Sequence, residues 1–84
     1  MLPFSLKTFT LKLKLARKSK RLHQWQIANI LGISRELYAK YETAACEPNF
    51  TFLYNLSLLY GVPTDVFIDP NIPAEDIVKY IKNN

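Results

Sequence analysis

The sequence predicts a small all-α domain, a compact bundle of four to five short helices with an extra short helix near the C-terminus. Composition supports this fold class, since 49% of the 84 residues are hydrophobic and only two are glycine. Residues 24–42 supply the second observation, because apolar residues recur there at helical spacing on both sides of a turn signal. A chain of this length buries roughly 60–65% of its unfolded surface, which is enough for one modest core.

The first helix is predicted over residues 11–19. It ends in a basic cluster, and cations in a last turn complement the negative end of the helix dipole. Taken alone, however, residues 9–15 alternate strictly between apolar and polar side chains, which is the period of a β-strand. Residues 1–10 stay open, as an N-terminal arm or as a strand that contacts a partner, since Pro3 opposes regular structure.

The second helix is predicted to begin near Gln24, because Ile27, Ile30 and Leu31 fall on one face of a helix. Gly32 stands where this helix must end. Glycine tolerates the left-handed conformation that commonly closes a helix, so a tight turn is expected at this point.

The third helix is predicted over about residues 35–43, because Leu37, Tyr38 and Tyr41 recur there with helical spacing. Ser34 precedes it at a natural N-cap position. Its hydroxyl can accept a hydrogen bond from a backbone amide of the first turn, which fixes where the helix starts.

Two further helices are predicted in the second half of the chain. The fourth begins at residue 49 or 51 and ends at Gly61. The fifth follows Pro63, with Thr64 as its cap and residues 66–67 turned inward.

A C-terminal extension is predicted over residues 70–84. The sequence at 69–71 is typical of a break, and residues 74–82 can form a short amphipathic helix with Ile77, Val78 and Ile81 on one side. So short a helix is not stable alone, so it must pack on something.

Charge is distributed unevenly along the chain. Residues 1–41 hold nine lysines and arginines against one acidic residue, whereas residues 42–84 hold two against six. A basic half joined to an acidic half is expected of a protein that binds a polyanion on one side.

Several classes of function are disfavoured. Cys46 is the single cysteine, so no intrachain disulfide is possible, and one cysteine with one histidine cannot supply four metal ligands. No run approaches the roughly 20 apolar residues that cross a bilayer, so a cytoplasmic protein without a membrane segment is expected. The sequence carries no catalytic motif and no cofactor motif, so we expect neither an enzyme nor a bound cofactor.

A set of residues between positions 11 and 69 matches the pattern of a known family. These residues are Leu13, Arg17-Lys18, Leu22, Gln24, Ile27-Ala28, Leu31-Gly32-Ile33-Ser34-Arg35, Lys40-Tyr41-Glu42, Pro48, Leu53, Leu56 and Leu59-Tyr60-Gly61-Val62. In them the chain resembles helix-turn-helix domains of the lambda-repressor, Cro and XRE type. The resemblance implies a helix-turn-helix domain over residues 11–69, and a helix over residues 13–18 despite the strand-like alternation. Family members often have Gly at position 44, so Ala44 puts the usual left-handed cap in doubt.

The same resemblance implies that the start of the third helix enters the major groove of DNA. Arg35 has a planar fork that suits guanine, Glu36 can accept from cytosine, and Leu37 can touch a thymine methyl group. The full set of expected DNA-binding residues is Gln24, Ser34, Arg35, Glu36, Leu37 and Lys40, with Lys18, Lys20 and Arg21 supplying sequence-independent attraction to phosphates.

Some residues have other expected roles, either because they match the family pattern or because they differ from it. Arg17 and Glu42 occupy family positions that form an ion pair linking the first helix to the end of the third. His23 departs from the usual Ser or Thr cap, as either a pH-sensitive cap or a tolerated surface residue. Trp25 also departs from the family pattern, and its role stays open.

The function implied is sequence-specific binding of double-stranded DNA by a small transcriptional regulator. Such proteins usually act as homodimers on two half-sites. The predicted dimer surface consists of Val62, Phe67, Ile77, Val78 and Ile81. The alternative is a protein-interaction module, antitoxin-like or an adaptor, in which a protein partner dominates and DNA contact is secondary.

Overall fold

The described part of the chain, residues 5–82 of a computed structural model, is built from helices joined by short connections. Their order is α1 (Leu6–Ser19), α2 (Gln24–Leu31), α3 (Arg35–Glu42), α4 (Phe50–Tyr60), α5 (Thr64–Ile68), a 3-10 turn (Ala74–Asp76) and α6 (Ile77–Lys82). Residues 5–82 contain no β-strand. The predicted all-α fold class is therefore confirmed.

The first helix begins five residues earlier than predicted, at Leu6. The Ser5 hydroxyl caps it by accepting a hydrogen bond from the backbone amide of Thr8, at 3.2 Å. Residues 6–10 therefore continue α1 instead of forming a separate arm, and residues 1–4 lie outside the described range. The strand-like alternation is misleading because the buried apolar positions, Phe9, Leu13 and Ala16, follow the helical period.

The two helices at the centre of the sequence form as predicted. Gly32 closes α2 with a φ of 72°, in the left-handed region. The Ser34 hydroxyl accepts a hydrogen bond from the Leu37 amide at 3.1 Å and so starts α3. Tyr38 and Tyr41 are buried, but Ile30 is 57% exposed and does not share the core face of α2.

The remaining caps differ in part from expectation. Asn49 caps α4 by accepting from the Phe52 amide at 2.8 Å, and Gly61 ends the helix at a φ of 67°. Pro63 occupies the N-cap of α5 and Thr64 is its first helical residue, so the predicted Thr64 cap is wrong. Ala44 adopts a φ of 65°, so the left-handed conformation persists without glycine.

The core lies around α1, which packs against α3, α5, α6 and the 3-10 turn. The C-terminal extension belongs to this core, because Ile77 is fully buried and Ile81 is 6% exposed. The predicted dimer surface is wrong for the same reason. Val62 and Phe67 are also buried, and Val78 packs partly against the core, so these side chains stabilise a single chain.

Lys12 is an unexpected part of the core, with its side chain fully buried in α1. Its Nζ donates a hydrogen bond to the backbone carbonyl oxygen of Asp69, at 2.9 Å, across 57 residues of sequence. Burial lowers the pKa of Lys12, and the nearby charge of Asp69 opposes that change. This contact ties the end of α5 to α1.

A buried carboxylate joins the first three helices. Glu42, at the end of α3, is 2% exposed and accepts from Arg17 Nε at 2.7 Å and Arg17 Nη2 at 3.2 Å. It also accepts from Gln24 Nε2 of α2 at 3.0 Å and from the Tyr38 hydroxyl at 2.5 Å. The ion pair expected between Arg17 and Glu42 is present, and it is the centre of a four-residue cluster.

The cluster keeps Glu42 ionised. Burial on its own raises the pKa of this carboxyl, but the hydrogen bonds from Arg17, Tyr38 and Gln24 outweigh burial and lower the pKa overall. Arg17 is also fixed through Nη1, which donates to the Leu22 carbonyl oxygen at 2.9 Å. The end of α1, the start of α2 and the end of α3 are therefore held at one point.

We predict that Glu42→Gln lowers the free energy of unfolding by about 3 kcal/mol, because it leaves the Arg17 guanidinium partly desolvated without its counter-charge. Urea denaturation measures this change. Glu36→Gln is the matched control, since Glu36 is an exposed carboxylate on the same helix and its loss should change stability by less than about 0.5 kcal/mol. Equal effects of the two substitutions would contradict the assignment.

We also predict a specific pH dependence. Because the folded chain lowers the pKa of Glu42, its contribution to stability is complete above the ordinary carboxyl pKa and is lost as the pH falls through the lower folded value. The stability difference between the unmodified chain and Glu42→Gln should therefore shrink as the pH falls below the ordinary carboxyl pKa and through the lower folded value. A stability difference that stays constant as the pH falls would contradict the prediction.

Candidate nucleic-acid interface

The candidate recognition surface is the outward face of α3. Tyr38, Tyr41 and Glu42 turn inward and anchor this helix on the core, so its opposite face is left to solvent. Glu36 and Lys40 are exposed there, Arg35 is exposed as the first residue of the helix, and Leu37 is half-buried against the core. The Ser34 cap holds the first turn, so the exposed side chains start from a fixed backbone.

The charged side chains on this face are free to bind another molecule. Within residues 5–82, Arg35, Glu36 and Lys40 make no side-chain hydrogen bond and no ion pair. A guanidinium, a carboxylate and an ammonium are thus presented together on about one and a half turns of helix. These groups suit base edges and phosphates, which are polar and accept or donate in fixed patterns.

A basic segment lies at the end of α1. Lys18, Lys20 and Arg21 are all exposed, and they directly follow Arg17, which is bonded to Glu42 of α3 and to the start of the α2 region. The helix closes with Arg21 at a φ of 56°, a left-handed conformation that is uncommon outside glycine. No turn residue in this part of the sequence signals that conformation.

Gln24 is held by the buried cluster. It begins α2, and its Nε2 donates to Glu42, which as a carboxylate only accepts; this contact orients the amide. The amide oxygen has no hydrogen-bond donor among the described residues. Gln24 is half-buried, and its amide oxygen remains accessible to solvent.

His23 and Trp25, the two neighbouring departures from the family pattern, are both exposed. The backbone amide of His23 donates to the Gln26 side chain at 2.8 Å, which satisfies one backbone donor at the start of α2. The Trp25 side chain is 57% exposed. Neither departure is drawn into the core.

Two other kinds of site find no support in the described range. Residues 5–82 contain no group of three or more His, Cys, Asp and Glu side chains placed to hold a metal ion. Over the same residues, no helix combines the length and the apolar character that a membrane span requires.

Comparison with known proteins places the same segment in a family. A helix-turn-helix domain family matches residues 11–71. The SPbeta prophage-derived uncharacterized HTH-type transcriptional regulator YonR of Bacillus subtilis (strain 168) is 42% identical over 57 residues, which cover 68% of this chain and 53% of that protein. The uncharacterized HTH-type transcriptional regulator YqaE of the same organism is 38% identical over 60 residues, covering 71% and 52%.

The chain spans about half the length of these curated relatives. No solved structure matches it. The family match nevertheless includes α2, the Gly32 turn and α3, which are the elements that build the candidate surface. The chain therefore belongs to the helix-turn-helix domain family, of the XRE-like kind that its residues indicate.

Proposed function

We propose that this chain binds double-stranded DNA sequence-specifically as a small transcriptional regulator in the cytoplasm, with α3 in the major groove. The observation that carries the proposal is the exposed set Arg35, Glu36 and Lys40 on a capped helix of a helix-turn-helix domain. Both relatives are named as HTH-type transcriptional regulators, which supports the same function.

Base recognition is assigned to the first turns of α3. Arg35 donates two parallel hydrogen bonds to guanine O6 and N7, and such a pair discriminates by about 1–3 kcal/mol. Glu36 accepts from a cytosine amino group. Lys40, one turn further along, contacts a base or a phosphate, and the half-buried Leu37 offers only its exposed edge to a thymine methyl group.

Phosphate contacts are assigned to the start of α2, to the α3 cap and to the basic segment. Gln24 and Ser34 lie at helix N-termini, where backbone amides favour an anion. Lys18, Lys20 and Arg21 supply attraction without sequence preference. Lys12 is excluded from this role because its side chain is buried.

A homodimer on two half-sites is the expected working form, because one short recognition helix reads only a few base pairs. A second candidate function, a protein-interaction module, is favoured by one observation. Several large apolar side chains on α2 and α4 are strongly exposed, which is unusual for a surface that meets only water or DNA.

Selection of bound sequences from a random duplex pool tests the proposal. The expected result is a motif with two similar half-sites about one helical turn apart. Recovery of no motif, together with binding that does not discriminate between duplexes, would contradict sequence-specific regulation.

We predict that Arg35→Ala leaves the fold intact and removes preference at one base-pair position of each half-site. The expected loss in Kd is about tenfold to hundredfold for each half-site, as for one bidentate contact in each. Fluorescence anisotropy on the selected duplex and on single-base variants measures it. If the variant discriminates among those duplexes as the unmodified chain does, Arg35 does not read a base.

The basic segment generates a separate prediction. Replacing Lys18, Lys20 and Arg21 together by Gln should flatten the plot of log K against log salt by about 0.9 for each phosphate that is no longer neutralised. Lys79→Gln is the control, because Lys79 is an exposed cation on α6, in the acidic half of the chain. An unchanged slope in the triple variant, or an equal change in the control, argues against this role.

A further inference from the structure

Two helices of this domain carry no charged residue at all, although both reach the surface. They are α2 and α4, with the sequences QWQIANIL and FTFLYNLSLLY. Surface helices ordinarily present charged or polar residues on their outer face. Here the outer faces instead hold Ile30, Phe50, Tyr54 and Leu58, which are 57%, 82%, 53% and 64% exposed.

The three residues of α4 form a continuous apolar ridge. Phe50, Tyr54 and Leu58 are spaced by four residues, so they line one side of the helix. The opposite side of the helix is the one that enters the core. The rings of Phe50 and Tyr54 stack with centroids 6.5 Å apart and planes 10° from parallel, so the N-terminal half of the ridge is an aromatic knob.

A groove adjoins the other end of the ridge. It is open to solvent, has a volume of about 330 Å³, and lies between α2 and α4. Its lining consists of Ile30, Leu31, Asn55, Leu58 and Leu59. A cavity of about 150 Å³ holds one benzene ring, so this groove has room for the Phe50 ring at the tip of the aromatic knob.

Knob and groove lie at opposite ends of one helix face. Phe50 and Leu58 are about 12 Å apart along α4, at 1.5 Å per residue. A two-fold axis that passes perpendicular to α4 near Tyr54 exchanges these ends. It would bring the two Tyr54 side chains together at the axis and place Phe50 of each copy at the groove beside Leu58 of the other, which is the self-complementarity that a closed two-fold dimer requires.

Charge opposes a second copy less at this surface than elsewhere on the chain. The chain carries a net charge of +4, so two copies repel one another over most approaches. The α2–α4 face contributes no charge of its own to that repulsion. A charged partner, by contrast, would lose hydration here without finding an oppositely charged group on these helices.

We infer that the apolar ridge of α4, with the adjoining groove, is the homodimer interface of this protein, formed by antiparallel pairing of two α4 helices. This surface replaces the predicted one, whose residues lie largely in the core. The use of the dimer to place two α3 helices on DNA half-sites rests on the proposed function, whereas the pairing itself does not.

Sedimentation equilibrium of the full chain without DNA tests the inference, at concentrations up to on the order of 100 μM. We expect a dimer, and we expect Leu58→Glu to weaken it by about tenfold or more, because each copy would then bury an unpaired carboxylate at the groove. Leu11→Glu is the matched control, because Leu11 is an exposed leucine on α1 and should leave the dimer unchanged. Thermal unfolding shows that both variants fold. A monomeric unmodified chain, or equal effects of the two variants, overturns the inference.

A cross-link tests the two-fold geometry. In a Cys46→Ser background, Tyr54→Cys places a thiol near the proposed axis, where facing Cα atoms come within the roughly 7 Å that a disulfide allows. Mild oxidation should yield a covalent dimer for Tyr54→Cys and none for Leu11→Cys. Equal cross-linking of the two variants contradicts the arrangement.

DNA binding separates this inference from the proposed function. The Leu58→Glu variant should bind a duplex with a single half-site as tightly as the unmodified chain does. It should not show the increase in affinity that the unmodified chain shows on a duplex with two half-sites. If the chain dimerises through the ridge but binds no duplex, the interface stands and the regulator proposal fails. If the unmodified chain and Leu58→Glu gain equally in affinity from a second half-site, the regulator proposal stands and the interface fails.

Discussion

The arrangement of the first three helices depends on one buried carboxylate. Glu42 accepts hydrogen bonds from α1, through Arg17, from α2, through Gln24, and from Tyr38 of its own helix. An ionised group in the core is costly unless every partner is present. The crossing of α2 by α3 is therefore specified by directional contacts, beyond what apolar packing alone would fix. The proposed DNA surface depends on that crossing, because Gln24 and Arg35 must keep a constant separation to meet the same duplex.

The surface of the domain is divided by chemistry. The exposed side of α3 and the end of α1 carry charged side chains, including Arg35, Lys40 and Lys18. The exposed sides of α2 and α4 carry none. A polyanion is bound by charged side chains, whereas the core of a protein interface is depleted in charged residues. Separate surfaces allow one small domain to bind both. This division is the physical basis for proposing DNA on one face and a second copy on the other.

Much of the fold was predictable because its information is local. Gly32, Ser34, Asn49 and Gly61 mark helix ends through cap chemistry that depends on neighbouring backbone groups. Two errors were local, since the caps at Ser5 and Pro63 were not predicted, and the others arose where distant contacts decide. Lys12 is buried because a carbonyl oxygen 57 residues away accepts its hydrogen bond, and Ile77 and Ile81 look like an unpartnered apolar face until α1 is set against them. Within the candidate site, the Arg17–Glu42 pair followed from family resemblance, whereas the left-handed Arg21 had no signal in the sequence.

The exposed face of α3 is where we place the DNA, and nuclear magnetic resonance of the ¹⁵N-labelled chain, titrated with the selected duplex, tests that placement most directly. We predict that the largest amide shifts fall in residues 18–24 and 34–40, while residues 74–82 are almost unaffected. Shifts confined to α4 and the groove beside it, with α3 unchanged, would show that the duplex does not bind at the recognition helix and would contradict the proposal.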